Sequence, residues 1–268
     1  MVRKLIRYLE RWSLDAVLVA AIWGLALERM AGRGTDFWAL AVLALATWLT
    51  YVADRLWEVR PGCPVPRTDR HLYHKRHYKK ILLFWSAVFV FSVILSVLVI
   101  PLWKWAGGWG IVAGVAGYFA LLGRRRNAFM RMFLKRLVVP LIFTAGVAWM
   151  SEGWRTTEGL SALAVLLFCA FSNLLLISYQ ESRDSKRPVW LEHALEWSIL
   201  GILLFGNLCL YFFYAVGVGA LFCGFFYLVI FIHLMTSTES FRTVRQMVDT
   251  ILFLSAILIL LLRPLPYP

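Results

Sequence analysis

A chain of 268 residues that is 61% hydrophobic, with a mean hydropathy of +0.71 and 13 tryptophans, carries more apolar surface than a soluble domain of this size can bury. Its net charge of +13 would suggest a nucleic-acid partner in a soluble protein, but here the basic residues cluster between apolar runs. They read as markers of a cytoplasmic membrane face, so no nucleic acid is expected, and the chain reads as an all-α, multi-pass membrane protein in contact with membrane lipids.

In chain order, residues 1–12 come first. They are basic, with Leu5, Ile6, Leu9 and Trp12 interleaved, and suit a short amphipathic helix lying on the anionic inner leaflet rather than a cleaved signal peptide. Residues 13–268 read as a single domain of nine transmembrane helices. The spans are Leu14–Leu27, Phe37–Ala53, Ile81–Trp103, Trp105–Leu122, Phe133–Met150, Leu160–Tyr179, Leu195–Tyr214, Val216–Met235 and Met247–Leu262, mostly near the length a bilayer core demands. The first is short, and the very short link between the seventh and eighth predicts an antiparallel hairpin. With the N-terminus cytoplasmic, all of the 28 lysines and arginines fall inside except Arg29, Arg33, Lys104, Arg155 and Arg263. The cysteines, Cys63, Cys169, Cys209 and Cys223, have neither disulfide-framework nor zinc-site spacing and read as small apolar fillers.

Ionisable groups at a membrane edge are costly, so their placement is informative. The second span ends in Asp54-Arg55-Leu56-Trp57-Glu58. Residues four apart share a helix face, so Asp54 and Glu58 could hold one hard cation such as Mg²⁺ between them. The competing reading is a solvated helix end with a carboxylate paired to Arg55 or Arg60. The sixth span ends with Asn173, Gln180 and Asp184 spaced along one stripe, and Glu181 among them. An Asn two turns deep also suits an interhelical hydrogen bond.

Other groups carry less. His71, His74 and His77 could bind Zn²⁺ or Ni²⁺ from one side of a helix. Their neighbours Arg70, Lys75, Arg76, Lys79 and Lys80 oppose a cation, which favours a lipid-phosphate or surface-anchoring patch. Glu192, His193 and Glu196 complement a helix N-terminus. Arg124, Arg125 and Arg126 read as topology determinants, and His233 as a packed residue. No P-loop, G-x-G-x-x-G, H-E-x-x-H or G-x-S-x-G motif is present.

Together these features resemble the UbiA-type membrane prenyltransferases, which also have nine helices and an inside N-terminus. Their first signature, roughly N-D-x-x-D-R-x-x-D, aligns with Thr50-Tyr51-Val52-Ala53-Asp54-Arg55-Leu56-Trp57-Glu58. Asp54 and Arg55 match, Glu58 replaces the last Asp, and Thr50 and Tyr51 replace the Asn and first Asp. Arg67-Thr68-Asp69-Arg70 loosely echoes the R-T-x-x-R-P that often follows. The second signature, D-x-x-Y-A-x-x-D-x-x-x-D, corresponds to Asn173, Gln180 and Asp184, with amides for two carboxylates. Lys135-Arg136 sits where members carry a Lys-Arg pair entering the fifth helix.

The resemblance implies a UbiA-like bundle in a bacterial inner (cytoplasmic) membrane, or an equivalent energy-conserving one, that moves a prenyl group from a polyprenyl diphosphate to a lipophilic, aromatic acceptor. It implies Asp54 and Asp184 as catalytic residues, and Asp54, Glu58, Asp184 and Glu181 as Mg²⁺ ligands. It implies Arg55, Lys135, Arg136, Asn173, Gln180, Arg67 and Arg70 as substrate contacts. With so few carboxylates, one Mg²⁺ is easier to justify than two. The same substitutions support an alternative: a catalytically degenerate member serving as a structural or lipid-binding subunit among membrane-complex partners. A transporter has less support, since no charged residue falls near a bilayer midplane.

Overall fold

A computed structural model describes residues 12–62, 69–124 and 128–184, together with positions 250, 254 and 257. Among the described residues the fold is helical without strands. Its elements are α1 (Leu14–Met30), α2 (Phe37–Glu58), α3 (Asp69–Arg76), α4 (Tyr78–Val99), α5 (Trp105–Arg124), α6 (Ala128–Ser151) and α7 (Thr157–Asp184), with 3₁₀ turns at Leu102–Lys104 and Gly153–Arg155. Among the described residues, five stretches are long and apolar enough to cross a membrane: Phe37–Glu58, Tyr78–Val99, Leu102–Gly123, Leu134–Ser151 and Thr157–Leu175. These coincide with the second to sixth expected spans. The first expected span forms α1, whose 17 residues reach about 25 Å at 1.5 Å per residue, a little under the hydrocarbon thickness. The amphipathic segment, apart from Trp12, and the seventh to ninth spans lie outside the described residues, save for helical positions 250, 254 and 257.

The helices extend past their apolar stretches because the ends have their own chemistry. Asp36 caps α2 by accepting from the Ala39 N–H at 3.0 Å. At its other end α2 continues through Asp54-Arg55-Leu56-Trp57-Glu58, whose charged groups are taken up by other helices, as described below. The third expected span, Ile81–Trp103, breaks after Val99, where Pro101 follows an extended Ile100.

α1 packs on α2, α6 and α7, and α6 packs on α2, α5 and α7 as well. Trp23 and Leu27 of α1 are fully buried, as are Val52 of α2, Val147 of α6 and Leu166 of α7. Close approach is built in with glycine: a Cβ at Gly24 would lie 2.7 Å from a Leu40 methyl, and one at Gly107 would lie 2.1 Å from the Trp149 ring. α4 flanks α2 and α5 flanks α6. Only Ile81 and Ser92 of α4 are buried, while Leu83, Phe91 and Leu98 point outward. A soluble protein would not leave this surface open, and lipid covers it without cost. Cys169 of α7 is buried and forms no disulfide.

Three of the basic residues expected outside, Arg33, Lys104 and Arg155, meet at one carboxylate. Glu152, directly after α6, is buried and adopts a left-handed conformation (φ 55, ψ 21) that costs a non-glycine residue roughly 1–2 kcal/mol. Its carboxylate collects Lys104 Nζ at 2.9 Å, Arg155 Nε at 3.2 Å, and Arg33. Lys104 Nζ also donates to the Met150 carbonyl at 3.2 Å, and the Trp149 indole N–H donates to the Lys104 carbonyl at 2.8 Å. Three connecting segments are thus tied to one carboxylate.

The two kinds of partner should differ in weight. Lys104 is 5% exposed at its side chain, whereas Arg33 and Arg155 are 45% exposed. Glu152→Gln, which strands the buried ammonium, is expected to cost about 3–5 kcal/mol in detergent unfolding. Arg33→Ala and Arg155→Ala should each cost no more than about 1 kcal/mol. Comparable losses from all three would contradict this ranking.

Candidate functional site

The basic-rich end of the bundle gathers a compact polar cluster. Asp54 and Glu58, one turn apart on α2, face α6, and Lys135 of α6 reaches between them. Its Nζ lies 2.6 Å from Asp54 Oδ2 and 2.8 Å from Glu58 Oε1. Arg55 Nη1 donates to Glu58 Oε2 at 2.8 Å and lies 3.9 Å from Asp54 Oδ2. Arg60 instead stacks on the Trp57 ring, 4.1 Å from its centroid. The alternative of a carboxylate paired to Arg55 therefore describes half of the arrangement, and Lys135 supplies the other half.

Two members of the cluster are residues to which the resemblance assigned no role. Tyr118, buried near the end of α5, donates its hydroxyl to Asp54 Oδ1 at 3.2 Å. His71, buried on α3, places Nε2 2.6 Å from Glu58 Oε2 and 3.2 Å from Arg55 Nη1. Every oxygen of the two carboxylates thus has a partner within the chain. α5 is further fixed to α2 by the Trp57–Phe119 ring contact, with centroids 5.6 Å apart. The signal for Tyr118 was faint, a single phenol in a glycine-rich apolar run. For His71 and His74 the signal was their three-residue spacing, which puts both on one face of α3.

The expectation of a surface-anchoring patch in HLYHKRHYKK is corrected for those two histidines. Both are buried, while Lys75, Arg76, Lys79 and Lys80 are exposed as an anchoring patch requires. The split follows from amphipathicity: α3 turns His71 onto Arg55 and Glu58 and buries His74, while Lys75 and Arg76 face water.

The remaining expected residues are placed as follows. Arg136, half-buried, is the next residue along α6. Asn173 is buried on α7 beside Ser172. Gln180, Glu181 and Asp184 belong to the last turns of α7, at the same end of the bundle as Asp54, but their side chains lie outside the described residues. Arg70 belongs to α3 with its side chain likewise outside, and Arg67 lies outside altogether. Among the described residues, no three His, Cys, Asp or Glu side chains form a group able to hold a metal. The Asp54–Glu58 pair nevertheless shares a single positive centre in the Lys135 ammonium. A hard cation there would have to displace the Lys135 ammonium from both carboxylates.

Compared with known protein families, with curated proteins and with solved structures, the chain matches none.

Burial pushes the His74 imidazole down to about 4, with Arg55 and His71 adding to the effect and Glu58 opposing it. The unfolded chain therefore binds the proton more readily than the folded one between about 6.5 and about 4. Stability should be insensitive to this group above pH 6.5 and fall as the pH drops through that window. Thermal unfolding in detergent from pH 7.5 to 4 measures this. His74→Asn should flatten the acid limb, and an unchanged slope would assign it to other groups.

Proposed function

We propose that this chain is a UbiA-like integral membrane prenyltransferase. It moves a prenyl group from a polyprenyl diphosphate to a lipophilic, aromatic acceptor at the cytoplasmic face of the bacterial inner membrane. The observation that supports this most is the meeting of Lys135 with both Asp54 and Glu58 across 81 and 77 positions of sequence. The resemblance implies that Lys135 contacts the diphosphate and that Asp54 and Glu58 hold its Mg²⁺, and the convergence of the three supports one shared site.

In this reading the diphosphate lies against Lys135, Arg136 and Arg55, whose charge-assisted hydrogen bonds suit phosphate oxygens. Arg67 and Arg70 would be further phosphate contacts, and Asn173 and Gln180 are neutral substrate contacts. Asp54 and Asp184 are the catalytic carboxylates. Asp54, Glu58, Asp184 and Glu181 would hold Mg²⁺, which when bound neutralises the diphosphate's charge. The allylic C–O bond breaks, and diphosphate leaves with the bonding pair. The acceptor's nucleophilic carbon captures the allylic cation and then loses a proton. Tyr118 and His71 act as positioning residues, fixing Asp54 and Glu58 by hydrogen bonds. Aromatic faces stabilise a passing cation by about 0.5–2 kcal/mol each, and the chain is 16% aromatic.

One observation favours a second reading, a catalytically silent subunit that binds lipid or partner proteins. The four oxygens of Asp54 and Glu58 already have donors in Tyr118, Lys135, Arg55 and His71, so the corner is complete as a structural joint.

The two readings separate on purification. The enzyme should release pyrophosphate from a prenyl diphosphate with Mg²⁺ and an aromatic acceptor, and Asp54→Ala should abolish release. Absence of release at every chain length tried, with stoichiometric partners in a mild-detergent preparation, would establish the second reading instead.

A further inference from the structure

The cations suited to a lipid phosphate are engaged, in this structure, with carboxylates. Asp54 and Glu58 carry two negative charges, and Lys135 and Arg55 carry two positive ones. The four heads lie within 2.6–3.9 Å of a partner in the set. The quartet is neutral without a metal. It is also reachable at one edge: the side chains of Lys135 and Glu58 are 29% and 27% exposed, against 9% and 13% for Arg55 and Asp54. An ammonium has three donors, and Lys135 uses two of them on Asp54 Oδ2 and Glu58 Oε1.

We propose that Asp54 and Glu58 act as an internal stand-in for a phosphate. They hold Lys135 and Arg55 in place, and the phosphate end of a prenyl lipid binds by competing for these cations, with no divalent metal needed for binding. This rests on the phosphorylated-lipid reading above but departs from its expected metal dependence. Carboxylate and phosphate oxygens make the same charge-assisted bonds with an ammonium, so they are direct competitors. An incoming diphosphate is also repelled by the two carboxylates it displaces. Neutralising either carboxylate removes both the competitor and part of the repulsion. If instead the carboxylates served to hold a bridging metal, neutralising them would weaken binding. The two accounts therefore predict opposite signs for one substitution.

The experiment uses the full chain in lipid nanodiscs, with farnesyl diphosphate and inorganic pyrophosphate as probes, in EDTA and in Mg²⁺. Farnesyl diphosphate should bind in EDTA, Glu58→Gln and Asp54→Asn should tighten it roughly tenfold, and Lys135→Met should weaken it roughly tenfold. Pyrophosphate binding with the same pattern would identify a free-phosphate site of the same chemistry, and its failure to bind would assign the site to lipid. Acetylation of Lys135, read by mass spectrometry, should accelerate in Glu58→Gln and slow when the probe is present. This readout stays interpretable should Asp54→Asn unfold the protein. Binding only in Mg²⁺, lost in Glu58→Gln, overturns the proposal and leaves the transferase reading standing. Failure of farnesyl diphosphate to bind any variant in either condition overturns both.

Discussion

The bundle depends on how charges are accommodated at the ends of apolar helices. At the basic-rich end one ammonium, Lys135, is shared by two carboxylates of α2. At the opposite end one carboxylate, Glu152, is shared by cations from three connecting segments. The two joints are inverse solutions of one problem: a charge at the membrane edge is tolerable only when paired and hydrogen-bonded. Between them the helices meet through apolar contacts and the close approaches at Gly24 and Gly107. Such contacts alone restrain the sliding of one helix along another weakly, because lipid solvates their surfaces equally well. The polar joints therefore set the register of α2 against α6 and of α6 against the Leu102–Lys104 turn.

The same economy bears on function. Lys135 fixes a helix pair, and it is also a cation offered at an edge of the structure that is partly open. Its partners come from α2, and they are themselves oriented by Tyr118 of α5 and His71 of α3. Four elements thus converge on one ion-pair cluster. A ligand that changed this cluster would be felt by all four, which suits either a catalytic corner or a binding corner whose occupancy is signalled to partners.

Much of this was legible in the sequence. Hydropathy located α2, α4, α5, α6 and α7, since apolar runs of bilayer length admit one local structure. The resemblance marked Lys135, Asp54 and Glu58, but as a phosphate contact and two metal ligands, so their direct pairing was not foreseen. What remained hidden was pairing at a distance. Lys104 read as one of a few stray outer cations, because no pattern in the chain announces that Glu152, 48 positions on, will fold back onto it. Tyr118 was invisible because a phenol in an apolar run has no periodic signature. The histidines of α3 were read by the charge of their neighbours, when the three-residue spacing that turns them inward was the better guide.

Joint holding of Lys135 by Asp54 and Glu58 is measured by a double-mutant cycle on detergent unfolding. Lys135→Met and Asp54→Asn are made singly and together, and the cycle is repeated with Glu58→Gln. Shared binding of the ammonium predicts a coupling of about 1–3 kcal/mol in each cycle, with the double variant more stable than the sum of the single losses implies. Additive losses in both cycles would show that Lys135 does not rest between the two carboxylates.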